Sequence, residues 1–272
     1  MTATRIGLIA WHVFKESVRD RVLYATVAFA LFLVFASIAI GQITAGQDLK
    51  IIKDLGLATI EVAGVLMAVF IGVGLVAREI ERRSIFGLLS KPVPRWEFVA
   101  GKFAGLVLTL AVNIWAMAAA LFVALAWQQW AAPAEARMAW EAPALDPRLL
   151  VQVLLFTAEL ALLTAIALFF STFSSSALLS AVFTLALFVV GLSSEELRNF
   201  NAIVDAPAFG WLVTGIGWIV PAFSAFDIKS AVVHGLPFGG AGFVTITLAY
   251  AAVYIATVLG AAMVVFSRRE FK

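Results

Sequence analysis

Few side chains of this sequence could perform acid–base or metal chemistry, and those that could are widely separated. The chain contains two histidines, His12 and His234, and no cysteine. Thiolate metal sites and disulfides are therefore excluded. Two distant histidines and five scattered methionines also do not make a copper site. The pattern accordingly predicts neither a metal nor a cofactor bound by this chain.

Two carboxylates stand out because they interrupt long apolar segments. Glu159 lies near the middle of Leu149–Ser171, and Glu61 lies about one turn inside one end of Gly56–Ala77. At membrane depth a lone carboxylate is costly, so it usually faces protein or water and often marks a pathway. Glu159 is therefore a candidate pathway residue. A protonated glutamate that is hydrogen-bonded to another helix is an equal alternative. Glu61 can reach the interface, which favours a structural role.

Charge is concentrated in one stretch, REIERRSIFGLLSKPVPRWEFVAGK, which holds six of the 19 Lys and Arg residues. It ends in Gly101-Lys102, a dipeptide that also occurs near the end of the phosphate-binding loop motif. Such a loop needs G-x-x-x-x-G-K-[ST], but Phe103 follows the lysine and Trp96 occupies the first glycine position. No nucleotide site is predicted, and we do not expect this chain to be an enzyme.

The elements that must position these side chains are membrane helices. Apolar residues make up 63% of the chain and charged residues 13%, against about 45–50% and about 25% in soluble domains. Strict apolar/polar alternation is absent, which favours helices over a barrel. Four segments without Asp, Glu, Lys or Arg each exceed the roughly 20 residues that cross the hydrocarbon core: Val22–Gln47, Phe103–Ala134, Leu160–Ser194 and Ser230–Ser267.

We therefore predict an all-α integral membrane protein with one transmembrane domain over residues 1–272. Residues 1–21 are amphipathic and are predicted to form an interfacial helix in the headgroup plane. Six transmembrane helices are expected after it. Their predicted bounds are Val22–Gln42, Gly56–Ala77, Phe98–Trp127, Leu149–Ser171, Ala177–Ser193 and Gly242–Phe266.

The distribution of Lys and Arg predicts the orientation of these spans. Six spans place both termini on one side, together with the loop of residues 78–97 and Lys102 just after it. That side carries 13 Lys and Arg residues, and the opposite side carries 6. Positively charged loops are enriched on the cytoplasmic side. We therefore expect a multi-pass membrane protein with both termini in the cytoplasm, and the family resemblance described below implies a prokaryotic plasma (inner) membrane.

One segment on the opposite side, residues 194–241, is unusually apolar for a loop. It is apolar for about a dozen residues before Pro221, too short to cross the membrane and return without breaks. This favours a partly re-entrant segment or an interfacial helix pair. A seventh span is the alternative, but it would place the C-terminal arginines outside, against the charge bias.

The cytoplasmic loop is predicted to contain a short helix. The second span should continue into water and carry the Arg/Glu cluster, and the apolar residues that follow should form a helix that ends at the prolines. An apolar helix flanked by charge usually fills a groove in a partner, although a position on the lipid headgroups is equally consistent with it. The residues in question are Glu81, Arg82, Arg83, Ile85, Phe86, Leu88 and Leu89.

The order of residues in this loop resembles the coupling segment of ABC transporter permeases of the exporter type-2 class. Ser84 stands where members commonly have threonine, and no glycine precedes it. The segments VGLVAREIERRSI and PAFSAFDIKSAVVHGLP are most similar to the subfamily described with multi-copper enzyme maturation and gliding motility. The matching loop residues are Glu81, Arg82, Arg83, Ser84, Leu88, Leu89, Ser90, Pro92, Val93, Arg95, Glu97, Phe98, Gly101 and Lys102.

The resemblance implies a permease that works with a separate cytoplasmic ATPase. That ATPase would bind ATP and Mg and would dock on the coupling segment, where its closure would drive export or mechanical work. It also implies a second permease subunit, in a homo- or heterodimer, and contact with membrane lipids. No nucleic acid partner is expected.

Two other classes of function were weighed. An ion-gradient-driven secondary transporter would use Glu159 as its proton carrier, but clear inverted repeats or broken helices with paired charges are not visible. An intramembrane enzyme would need a nucleophile and a base or metal ligands at membrane depth, and no histidine lies in a predicted span. An ABC permease subunit is therefore the leading prediction.

Overall fold

The architecture is helical wherever the chain is described. A computed structural model describes residues 2–19, 21–43, 48–81, 94–138, 140–174, 176–199 and 207–268. In these ranges the regular elements are α-helices, with one 3₁₀ turn at Phe223–Phe226. The helices are α1 Thr2–Val18, α2 Arg21–Ile43, α3 Asp48–Glu81, α4 Arg95–Ala131, α5 Ala134–Met138, α6 Arg148–Phe173, α7 Ala177–Leu192, α8 Ser194–Arg198, α9 Pro207–Ile219, α10 Lys229–His234 and α11 Gly240–Arg268.

Four helices in the described residues are long and apolar enough to cross a membrane. They belong to α3, α4, α6 and α11, and correspond to the second, third, fourth and sixth predicted spans. The helical membrane class predicted from composition is confirmed. Their apolar stretches are Leu49–Val73, Trp96–Ala131, Arg148–Phe173 and Gly240–Arg268.

The other two predicted spans correspond to shorter apolar helices. The described apolar part of α2 is Leu23–Ala36, and α7 has 16 residues. At 1.5 Å per residue, α7 is about 24 Å long, less than the roughly 30 Å of a hydrocarbon core. The count of six spans therefore stays a prediction.

Helix α3 begins earlier than the sequence pattern predicts. It starts at Asp48, whereas the predicted span starts at Gly56. The first turns contain Lys50 and Lys53, whose charges resemble a loop, yet Lys53 is buried and its Nζ donates to Pro143 O at 2.6 Å. Glu61 therefore lies well inside α3 rather than one turn from the start of the helix.

The other end of α3 extends beyond its apolar stretch without a break. The helix has 34 residues and runs to Glu81, a length of about 51 Å. This confirms that the helix continues toward the charged loop. The remaining predicted docking residues lie outside the described part of the chain: Arg82, Arg83, Ile85, Phe86, Leu88 and Leu89.

Glycines permit the close helix contacts of the bundle. A Cβ on Gly105 of α4 would lie 2.5 Å from Ala10 O of α1, and a Cβ on Gly72 of α3 would lie 3.0 Å from the Cβ of Ala167 in α6. The first distance is shorter than a Cβ atom allows, and the second is very tight. A side chain at either position would therefore force the neighbouring helix to move. These two glycines therefore allow helices of this chain to pack closely, as small residues do between helices in lipid.

Helix α6 is the centre of the bundle. It contacts α3, α4, α7 and α11, and most of its residues are buried. Helix α11 also packs on α6 but keeps most of its own surface exposed. The amphipathic α1 lies along the first turns of α4. This arrangement places the central carboxylate Glu159 in the most enclosed helix.

We predict that Gly105→Leu separates α1 from α4. The new side chain meets backbone atoms of α1, and overpacking of this kind typically costs about 1–3 kcal/mol. Thermal unfolding of the purified protein measures the loss. Gly7→Leu is the matched control, because a Cβ on Gly7 meets no atom within 4 Å. Equal melting temperatures for the two variants would contradict this account of the α1–α4 contact.

Candidate functional site

Residues 194–241, which we call the outer segment after its predicted side of the membrane, are bent beside α11 where they are described. Helix α9 ends at Ile219, and the chain from Phe223 to His234 leaves it at an angle of 43°. Pro221 lies in the break, where its missing N–H cannot continue a helix. A bend of this kind fits either a re-entrant segment or a broken span. Both interpretations of this segment therefore remain consistent with the geometry.

Two tyrosines of α11 bind the backbone of this break. The hydroxyl of Tyr250 accepts a hydrogen bond from the Ala222 N–H at 2.9 Å, and the hydroxyl of Tyr254 donates to Ile219 O. Tyr250 lies ten residues after Gly240, or about 15 Å along the helix. The break therefore lies beside the interior of α11 rather than above its end.

The break also rests on the end of α7. The rings of Phe188 and Phe223 lie 4.9 Å apart, and Phe223 is fully buried. A Cβ on Gly191 would lie 2.5 Å from Pro221 O. The outer segment thus covers the end of the short helix α7 and packs against it closely.

Gln152 of α6 binds two backbone groups of the outer segment, at the end of the 3₁₀ turn Phe223–Phe226. Its Nε2 donates to Phe226 O at 3.1 Å, and its Oε1 accepts from the Ile228 N–H at 2.7 Å. Gln152 is fully buried. Buried backbone groups are costly unless they are paired, so this amide fixes the outer segment to α6. Sequence reasoning missed it, although an amide within LLVQVLL is an available signal.

A lysine of the outer segment pairs with the carboxylate of α3. Lys229 Nζ donates to Glu61 Oε2 and lies 3.3 Å from Asp227 Oδ2. It also lies 5.8 Å from the centre of the Phe156 ring. The Glu61 and Lys229 side chains are only 15% and 19% exposed. Sequence reasoning predicted an interfacial Glu61 and did not find its partner, which is 168 residues away.

Glu159 of α6 is 2% exposed. Its carboxyl group lies within electrostatic range of Glu61, Asp227 and Lys229. The hydroxyl of Thr157 donates to Val153 O within its own helix. Glu61 and Glu159, which the sequence treated as unrelated, therefore lie in one region of the bundle.

A second charged network joins the N-terminal end of α3 to α10. Glu141 binds Lys50 at 2.5 Å and lies 3.5 Å from His234 Nδ1. The hydrogen bond from Lys50 is the main reason that the pKa of Glu141 is below its usual value, and the charges of Lys50 and His234 act in the same direction against partial desolvation. Because Glu141 and His234 are exposed, these contacts contribute little stability. They mark the rim of the site.

A cavity of about 460 Å³ lies between α3 and α10. Its volume falls within the range of small-molecule sites. Its lining carries both charge signs, from Lys50 and Lys229 and from Asp54 and Asp227. The cavity therefore connects Lys50 and His234 with Lys229, the partner of Glu61. Within the described residues no group of three or more His, Asp or Glu is arranged to hold a metal ion.

Residues 8–271 match the family described as ABC-2 family transporter protein. The chain belongs to the ABC-2 family. Among curated proteins, none matches it. Together with the apolar helices, this membership identifies a multi-pass membrane permease of an ABC transporter, a class that functions with an ATPase subunit. The family does not favour the ion-gradient alternative built on Glu159.

Gln152→Leu in this permease should loosen the outer segment from α6. The substitution leaves Phe226 O and the Ile228 N–H without the partner they have now. A buried polar group left without its partner costs about 1–3 kcal/mol, so we expect a loss of about 2–4 kcal/mol in unfolding free energy, measured by denaturant titration. The control is Thr157→Val, which removes a hydroxyl that binds only its own helix. A Gln152→Leu protein as stable as this control would refute the role of the amide.

Proposed function

We propose that this chain is the permease subunit of an exporter-type ABC transporter, in which a separate cytoplasmic ATPase drives export or mechanical work. The observation that carries the proposal is the continuity of α3. This helix runs unbroken from Asp48, beside the outer network, to Glu81 at the start of the charged loop. A continuous helix can transmit a displacement from one end to the other, which is what coupling requires.

The docking site for the ATPase is the segment that follows α3. Its apolar residues Ile85, Phe86, Leu88 and Leu89 would fill a groove in the ATPase, as apolar helices do in peptide recognition. Glu81, Arg82 and Arg83 would make the polar contacts around them. ATP and Mg would be bound by the ATPase, and the permease itself would carry out no chemistry.

The topology that we propose has six spans and cytoplasmic termini, with residues 194–241 partly re-entrant from the outside. Two observations support it. The break in the outer segment lies beside the interior of α11, bound by Tyr250. The Phe223 turn also covers the end of the short α7. In the proposed topology, α7 and this turn together cross the hydrocarbon core, for which α7 alone is too short.

A second permease subunit, identical or different, would complete the transporter. The exposed apolar face of α11 is the proposed meeting surface for that subunit or for membrane lipids. It carries Ile246, Val253 and Val264, which are more than half exposed. The subfamily with multi-copper enzyme maturation and gliding motility remains our expectation from the motif resemblance alone.

The docking proposal predicts that Phe86→Asp and Leu89→Asp separate the permease from its ATPase. A charge in an apolar groove is left without a partner, so each variant should reduce recovery of the ATPase on the tagged permease by about tenfold or more, which corresponds to roughly 1.4 kcal/mol. ATPase turnover stimulated by the permease should fall in parallel. Membrane insertion should be unchanged.

Met138→Asp is the matched control, because Met138 is 80% exposed in α5, outside the apolar stretches. Normal ATPase recovery with both loop variants would exclude docking at this segment. The absence of cysteine permits an independent check of its side: a single cysteine introduced at position 84 should react only with a membrane-permeant reagent.

A further inference from the structure

Lys229 occupies a site that is built from other parts of the chain. Its ammonium group is held by Glu61 of α3 and by Asp227, over the face of the Phe156 ring in α6. We propose that this is an ammonium-binding site, occupied by Lys229 in this conformation and available to the primary ammonium group of another molecule when the outer segment moves. The transport role rests on the proposed permease function, whereas the binding itself does not.

The chemistry of the site matches a primary ammonium. Such a group has three N–H donors and a compact charge, and Glu61 and Asp227 offer carboxylate acceptors from two directions. The aromatic face adds a cation–π contact, which recurs in sites that recognise ammonium ligands. Asp227 is itself held in place, because its Oδ1 accepts the Lys229 N–H at 2.8 Å. The acceptors are therefore positioned without help from the lysine side chain.

A buried carboxylate at the site depends on a cation. The Glu61 side chain is 15% exposed, and Lys229 is its ion-pair partner. A buried carboxylate that loses its partner is strongly destabilising. Once Lys229 leaves, Glu61 loses this partner at a buried position, so the vacated site should bind a cation.

An open route leads to this site. Asp227, Lys229 and Ser230 line the cavity of about 460 Å³, whose outer rim includes Lys50 and His234. Lys229 and Asp227 belong to the outer segment, whereas Glu61 and Phe156 belong to α3 and α6. Displacement of the outer segment therefore withdraws the lysine together with Asp227 and leaves the Glu61 carboxylate and the Phe156 ring behind. The ligand is a primary amine, either the headgroup of an aminophospholipid or a small soluble amine.

Removal of the lysine side chain tests the site directly. Lys229→Ala should lower the melting temperature of the purified full-length protein by several degrees, because it leaves Glu61 unpaired. Methylammonium chloride should restore at least half of that loss, with half-saturation on the order of 10 mM for so small a ligand. Tetramethylammonium chloride and sodium chloride at equal ionic strength should not. If Lys229→Ala cannot be purified, Lys229→Gln takes the same titration.

Two control variants locate the effect. Lys50→Ala removes a lysine from the rim of the same cavity, where its partner Glu141 is exposed, and should show no specific response to methylammonium. Lys229→Ala combined with Glu61→Gln should lose the response seen with Lys229→Ala alone. An equal response to all three salts, or a response that survives Glu61→Gln, would overturn the proposal.

Lipid nanodiscs identify the source of the amine. Phosphatidylethanolamine and phosphatidylcholine differ in having a primary or a quaternary ammonium group. A higher melting temperature of Lys229→Ala in phosphatidylethanolamine discs identifies a lipid headgroup. A rise in phosphatidylcholine discs only after methylammonium is added identifies a soluble amine. No rise in either lipid, with or without methylammonium, rejects the site. None of these readouts involves the ATPase, so the result is independent of the docking test.

Discussion

The structure depends on hydrogen bonds to the backbone N–H and C=O groups that are left without helical partners where the chain breaks inside an apolar bundle. The break between α9 and α10 frees groups that water would normally satisfy and that lipid cannot. Side chains on neighbouring helices replace that water: the Gln152 amide in α6 binds two of these groups, and the Tyr250 and Tyr254 hydroxyls in α11 bind two more. The position of the outer segment is therefore set by polar contacts to two spans rather than by apolar packing alone. A segment held in this way has a discrete position that it can leave as a unit.

The same segment brings the charge that its surroundings require. Glu61 and Glu159 lie on the adjacent helices α3 and α6, and either would be expensive alone at membrane depth. Lys229 comes from a different part of the chain and provides the cation for Glu61. The outer segment and this carboxylate are therefore mutually dependent. The segment needs side chains from neighbouring helices to bury its break, and α3 needs the lysine to bury Glu61.

The sequence predicts the elements better than it predicts the site. Charge-free runs identified the long spans, and the continuation of the second span to Glu81 followed from its unbroken pattern. The start of that helix was misplaced because Lys50 and Lys53 resemble a loop, while the structure buries Lys53 against a distant carbonyl. The partner of Glu61 could not be predicted, because periodicity describes one helix at a time and carries no information on which segment folds against it. Gln152 offered a signal, a lone amide in an apolar run, but its meaning depends on the break that it binds.

Helix α3 connects the two regions of the chain that are candidates for function. Glu61 and Glu81 are 20 residues apart on one continuous helix, a separation of about 30 Å. The proposed docking segment follows Glu81, and Glu61 holds Lys229 of the outer segment. If a partner ATPase displaces the Glu81 end of α3, as we propose, Glu61 moves with the same continuous helix. The Tyr250, Tyr254 and Gln152 contacts hold the outer segment to α6 and α11. Displacement of α3 therefore acts on the Lys229–Glu61 pair and on the Lys50–Glu141–His234 network, both of which connect α3 to α10.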